Sequence, residues 1–409
     1  MTLSSHIVFR NSFWLILLLA LGSPIIGVAQ ERPDFSHLVK KWGEDWEPID
    51  TSLQISHMFR QEPLLDDWFG FLPIGNQGAW RQQIVVDPIL EPRAHFGSQL
   101  FIDHFRHTKD WQYYNVRSPL TDASYRQGYA RGQLFRIYHT QNVHERLNFY
   151  FDFSRLNSLG PYPNQQVEQS DVLLTMYYQT ENGRYAFHGG FNTGFIQAEA
   201  NGGLLFDTVF TDNTITDRSL VRVKNDNALQ YLRNREGLFH QSYNLINREN
   251  DSLYSGWLMN LALEHRFSYL RQSYVYTDIP GFNTPEPLLQ SNSTLDSTAF
   301  EQVRNALGVS IDGQYSASGH LWLETSSNEG VNYRNIQNNL GLDFQFETVF
   351  SERFPLSSKL TYVLQGVRQG GLDLYAETGF RNKGFEFIPY AQLTRAFPSF
   401  QPSRYTSNY

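Results

Sequence analysis

The residues best suited to chemistry are histidines and acids that fall near one another in the first half of the chain: His139, His144 and His188 beside Asp152, Ser154 and Asp171. A hydrolase would set its serine on a sharp strand-to-helix turn with a histidine and a carboxylate behind it, and a zinc protease would space its ligands as His-Glu-x-x-His. Neither pattern occurs. His104 and His107 with Asp103 form a looser group, but His-x-x-His without further placed ligands does not specify a metal site. Gly202-Gly203 and Gly370-Gly371 fall at loop or strand boundaries and read as turns rather than phosphate cradles. The chain has no cysteine, which removes thiol nucleophiles, cysteine metal sites and disulfides together. The expectation is a protein that is not an enzyme and needs no cofactor or metal.

The elements that carry these residues are more informative than the residues. Leu147, Phe149, Phe151 and Phe153 alternate with Asn148, Tyr150, Asp152 and Ser154, and Leu340, Leu342, Phe344 and Phe346 alternate with Asn339, Gly341, Asp343, Gln345 and Glu347. A strand turns successive side chains to opposite faces, so each stretch presents one apolar row and one polar or small row. The apolar row must meet something oily. In a soluble sandwich that is a second sheet; in a transmembrane barrel it is lipid, and the polar row lines a wet interior.

The amino terminus bears on the choice. Phe13 to Leu21 is apolar, Arg10 precedes it, and Gly27-Val28-Ala29 supplies small residues before Gln30. This is the pattern of a secretory signal peptide, residues 1–29, cleaved near Ala29. Charged residues make up only 18% of the chain and aromatic residues 15%, yet no apolar run after the leader reaches helical spanning length, which excludes a helical membrane protein. A barrel hides its membrane contact in alternation and would show this composition. A net charge of −8 offers no basic footprint for nucleic acid.

Residues 30–110 lack the rhythm. Pro33, Pro48, Pro63, Pro73, Pro88 and Pro92 interrupt short mixed segments, which reads as an irregular periplasmic segment or cap. A hairpin around Gln99 to His104 and a globular plug are alternatives. From Trp111 to Tyr409 the strands follow: Gln133 to Gln141, the Leu147 strand, Asp171 to Thr180 with Val172, Leu174, Met176 and Tyr178 outward, and a return strand from Tyr185. Asn182-Gly183 between the last two suits a two-residue turn with positive φ at both central positions. Polar residues from Thr193 to Ser255, and the proline-rich stretch Asp278 to Asp296, read as long loops. Strands resume at Trp257 to Glu264, Leu307 to Ile311, His320 to Thr325, Asn339 to Phe350, Leu360 to Gln365, Leu372 to Phe380 and Phe385 to Arg395. About a dozen strands of roughly ten residues result, an all-β antiparallel transmembrane barrel.

Several segments resemble a known family. Ser118-Pro119-Leu120-Thr121-Asp122, Gln133-Leu134-Phe135, His139-Thr140-Gln141-Asn142-Val143, Arg146-Leu147-Asn148-Phe149, Gly160 to Gln165 and Asn182-Gly183-Arg184-Tyr185 are similar to the putative porin family of Bacteroidetes outer membranes. The resemblance runs from Ser118 to the end, and its motifs are structural rather than catalytic. It implies an outer-membrane barrel of a Gram-negative bacterium, in a family whose members are longer. Pro398 and Pro402 stand where a closing strand would run, so the expectation is a barrel left unclosed by truncation after Tyr409.

Two functions from different classes fit a barrel. In the first, Arg136, Asn148, Asp152, Asn192, Glu264, Asp343, Gln345 and Glu347 face water and line a path for passive diffusion of small hydrophilic solutes. In the second, a non-conducting barrel acts as a scaffold or adhesion platform through its long loops. A secreted soluble sandwich is the third reading. The partners expected are outer-membrane lipid and small solutes, with no nucleic acid; the sequence is silent on oligomeric state.

Overall fold

The computed structural model describes residues 37–41, 46–49, 71–73, 75–79, 81–83, 92–94, 96, 105–128, 131–206, 208–209, 215–247, 258–278, 294–313, 315–330, 333–349, 355–382 and 385–397. The expected leader, the hairpin around Gln99 to His104, the pair Asp103 and His104, and the stretch from Pro398 onward lie outside the described residues.

Short strands come first: β1 (Leu38–Lys41), β2 (Glu47–Pro48), β3 (Phe71–Pro73), β4 (Arg81–Gln83) and β5 (Gln112–Asn115). Longer ones follow as β6 (Leu120–Gln127), β7 (Gln133–His144), β8 (Leu147–Ser158), β9 (Val167–Gln179), β10 (Tyr185–Glu199) and β11 (Leu229–Asn247). Next are β12 (Leu258–Asp278), β13 (Thr294–Gly313), β14 (Tyr315–Gly330), β15 (Tyr333–Val349), β16 (Pro355–Gly366) and β17 (Leu372–Thr378). The hairpin of β18 (Phe380–Asn382) and β19 (Phe385–Phe387) stands apart, and β20 (Tyr390–Arg395) returns to pair with β17. From β6 to β17 each strand pairs antiparallel with the next, giving one sheet of thirteen strands whose edges, β6 and β20, are not joined among the described residues.

The sheet is two-faced, as the alternation requires. On β8, Phe149 is exposed while Asn148, Tyr150 and Asp152 are buried; on β14, Leu321 and Leu323 are exposed while His320, Trp322 and Glu324 are buried. Exposed apolar residues of the outer face continue through Leu174, Phe191, Phe239, Leu263, Phe267, Leu307, Leu342 and Phe344. A soluble sandwich would cover this row with a second sheet, and among the described residues no such sheet covers it. No helix of the described residues is long and apolar enough to cross a membrane.

Four expectations about local structure change. The polar stretch Thr193 to Ser255 is not one loop: β10 runs on to Glu199, and β11 passes through it for 19 residues. Arg233, Arg235 and Glu236 had disguised β11, because a strand that extends past an apolar belt carries charges there. β7 to β16 are also longer than ten residues, reaching 21 in β12, so the connection Asp278 to Asp296 is trimmed from both ends. Phe385 to Arg395 is broken at Ile388-Pro389 into β19 and β20. The turn at Asn182-Gly183 has four residues: Thr180 donates to Tyr185 O at 2.9 Å, Gly183 donates to Thr180 O at 3.0 Å, and of the pair only Gly183 has positive φ, at 63°.

Candidate functional site: the inner face and the segment against it

The inner face is polar, and its closest partner is the chain's own N-terminal segment. β5 pairs with β1, which also pairs with β2, and this small sheet lies against β7 to β11. Trp111, Tyr113, Tyr114 and Val116 form one apolar cluster with Tyr150, Leu173, Tyr177 and Leu238 of the large sheet. Phe105 packs with Val167, Ile196 and Leu232, and Phe96 and Ala94 pack with Phe300. Each fully buried aromatic of this kind contributes about 2–3 kcal/mol relative to an exposed one.

Glycines in β10 make room for the contact. A Cβ on Gly190 would stand 2.6 Å from the Trp111 ring, and one on Gly194 would stand 2.9 Å from Phe105. The wall is hollowed where the segment's aromatic rings enter.

Polar bonds fix the segment between those rings. Arg106 lies between two carboxylates: its Nη1 is 2.8 Å from Asp152 Oδ2, and its Nε is 3.2 Å from Asp171 Oδ2. Burial opposes the Arg106 charge, and the two carboxylates outweigh it, holding the guanidinium above its ordinary value. Asp152 is fully buried and also receives Arg136 Nη2 at 2.7 Å and the Tyr150 hydroxyl at 2.6 Å. Asn192 donates to Asp171 Oδ1 at 2.9 Å, completing this cluster. Thr108 is hydrogen-bonded to Glu236, and Thr175 Oγ1 donates to Gln112 O at 2.7 Å.

A second cluster centres on Glu324, which is fully buried in β14. Its Oε2 receives Arg304 Nη2 at 2.6 Å and Gln302 Nε2 at 3.1 Å, and its Oε1 receives Asn339 Nδ2 and the backbone N–H of Ala94, each at 3.3 Å. Gln302 reaches the segment again, donating to Ala94 O at 2.7 Å. Arg368 donates to Arg93 O at 3.1 Å. Arg93 in turn lies 3.8 Å from Asp343.

The eight residues expected on a solute path fall on this face but not in one place. Arg136, Asp152 and Asn192 belong to the Arg106 cluster. Asn148 is buried, holds Thr140 and Asn142, and lines a cavity of about 330 Å³ with Tyr114, Arg146 and Glu181 at the end of the β7–β8 and β9–β10 hairpins. Glu264 accepts from His320 at 2.8 Å and lies 3.6 Å from His240. Asp343 accepts from Trp322 Nε1 at 3.1 Å and from Thr361 at 2.9 Å. Gln345 donates to Glu347 at 2.7 Å, and both are exposed.

Arg106, Gln302, Arg304, His320 and Glu324 are not among the residues expected from the sequence, and Asp171 is expected only among the acids near the histidines. His320 and Glu324 were within reach, since they alternate with Leu321 and Leu323. Arg106 was not, because it stands in an aperiodic segment and meets acids far along the chain. The histidines and acids near Asp152 do not assemble a nucleophile with its base: His139 bonds Thr121, and His188 lies among Tyr113, Tyr177 and His240. No group of three or more potential metal ligands is brought together among the described residues.

A family described as "Putative porin" matches residues 36–409. No curated protein matches the chain. Among solved structures, the ferric-catecholate import receptor Fiu from E. coli K12 is similar over 68% of this chain and 47% of its own, at 9% identity and a TM-score of 0.40. The FpvAI–pyocin S2 complex gives 11% identity and 0.43 over 68% and 40% of the two chains, and the copper transporter OprC 9% and 0.41 over 69% and 45%. The chain thus spans less than half the length of each.

Proposed function

The chain belongs to the putative porin family, and we propose that it forms the wall of an outer-membrane barrel through which small hydrophilic solutes diffuse passively. One observation carries the reading: a continuous sheet with an exposed apolar outer face and an inner face of buried Asn148, Asp152, Asn192 and Glu324. Lipid satisfies the first face, and only water, solute or protein satisfies the second. Asp152, Asp171 and Glu324 are engaged with guanidinium and amide donors, which fixes the inner face rather than leaving these acids facing open water. Of the expected lining, Glu264, Asp343, Gln345 and Glu347 stand on the strands after β11. Asp343 faces Arg93 of the inner segment, so the solute path runs along Glu264, Gln345 and Glu347.

A second reading is favoured by the segment itself, which occupies the inner face of β7 to β11 and touches β13 to β16. A barrel filled this way acts as a non-conducting scaffold. Single-channel recording of the purified chain in a planar bilayer, alongside a product carrying any sequence encoded downstream, separates the two. Discrete conductance steps are expected; folded protein that stays silent in both forms would give the scaffold reading the place of the first.

A further inference from the structure

The outer face carries charge where the apolar belt ends. On β11 the inward side chains Leu232, Asn234, Leu238 and His240 are buried, so alternation turns Arg233 and Arg235 outward. Two outward positions beyond Arg235, the exposed Phe239 begins the apolar row, with Phe267 opposite it on β12. Arg235 stands directly opposite Arg271, and Arg233 lies in the field of both. Like charges placed opposite one another across an antiparallel pair are unfavourable, so this arrangement calls for an anion.

The protein supplies only part of it. Arg271 has Glu301 at 3.6 Å, and on β8 the outward Arg155 has Glu168 at 3.7 Å. Arg233 and Arg235 have no carboxylate partner among the described residues. Their Cα atoms are about 6–7 Å apart along the strand, close enough for two guanidinium groups to share one phosphate with bidentate bonds.

We propose that Arg233, Arg235 and Arg271 form a binding site for the phosphate headgroup of a membrane lipid whose acyl chains lie along Phe239 and Phe267. The inference rests on the reading that the outer face meets lipid. Position on the boundary of the belt favours a lipid over a soluble anion, because a headgroup is held at that level by its own chains.

The test uses the full chain in detergent, with native mass spectrometry reading retained lipid and two probes: phosphorylated lipid A and the same glycolipid with its phosphates removed. The parent is expected to retain the phosphorylated form at least tenfold more strongly. Arg233→Gln with Arg235→Gln should abolish that preference, Arg233→Lys with Arg235→Lys should keep part of it, and Arg155→Gln should leave it unchanged. Heat-dependent gel mobility checks folding; if the glutamine pair does not fold, Arg235→Gln alone must lower the preference. Equal retention of both glycolipids by the parent, or a preference that survives in the folded glutamine variant, overturns the proposal. Displacement by inorganic phosphate as effective as displacement by the glycolipid overturns the lipid assignment in favour of a soluble anion. Failure of the underlying reading shows differently, as protein that stays in the aqueous phase when detergent is phase-separated.

Discussion

Asp152 has no exposed surface, and a carboxylate taken out of water is tolerated only where donors replace the water. Arg106, Arg136 and Tyr150 are those donors, and one of them comes from the N-terminal segment. The wall and the segment therefore depend on each other at single-residue resolution. The same dependence holds for shape at Gly190, where an added methyl group meets the Trp111 ring at 2.6 Å and the Leu174 carbonyl at 3.1 Å. Trp111 is fully buried and cannot swing to solvent. Gly190→Ala is expected to cost about 1–3 kcal/mol through overpacking. Gly237→Ala, whose added methyl would have its nearest neighbour at 3.8 Å, should cost less than Gly190→Ala. Urea unfolding of both variants in lipid vesicles checks the ordering, and equal midpoints would show that the tryptophan is not seated as described.

At the scale of elements, the outer belt and the extensions beyond it should respond differently to the same change. Leu321 lies mid-strand on β14, opposite Leu307 and Leu342 in the apolar row, whereas Ile336 stands near the start of β15, where Arg334 precedes it in the same outward row. Leu321→Lys is expected to destabilise by about 2–4 kcal/mol, as for a lysine near the bilayer midplane, and Ile336→Lys by about 0–1 kcal/mol. Both side chains are similarly exposed, at 49% and 57%, so burial in protein does not separate them. Folding titrations into vesicles decide it; equal penalties would mean that the lipid boundary lies elsewhere on the wall. This distinction also explains what was legible in the sequence. Where a strand's outward row lies in the belt, as on β8, β9 and β15, period-2 alternation gave the strand and its faces together. β11 was hidden because Arg233, Arg235 and Gly237 occupy its outward row and Asn234, Glu236 and His240 dilute its inward one. Polarity on both faces is what a loop looks like in one dimension, and only pairing with β10 and β12 distinguishes them. The Arg106 cluster was illegible for a related reason: its acids could be placed on the inner face, but the cation came from a stretch without any period.

For the whole molecule, the question is how firmly the segment is held, since that governs what can pass. Three stretches reach the wall: Arg93, Ala94 and Phe96 against β13 to β16, Phe105 to Thr108 against β8 to β11, and Trp111 to Val116 against β7 to β11. The first and third are held by ring packing and by wall side chains bonded to their backbone. The middle stretch adds the Arg106 ion pairs to the packing of Phe105 and the Thr108–Glu236 bond. Removing that guanidinium leaves Asp171 with Asn192 as its side-chain donor and Asp152 with Arg136 and Tyr150, a loss of about 3 kcal/mol for a broken buried pair. Local opening should rise by roughly a hundredfold, because proteolysis through an opened state follows its equilibrium population. Arg106→Ala is therefore expected to speed chymotrypsin cleavage at Phe105, Trp111 and Tyr113, which are closed to protease in the native protein, while the large sheet keeps its heat-resistant mobility. The same variant should raise conductance in the bilayer recording if the segment narrows the solute path. Faster cleavage without a change in current would place the path clear of the middle stretch; unchanged cleavage would show that the aromatic contacts alone hold it and that the Arg106 pairing is dispensable.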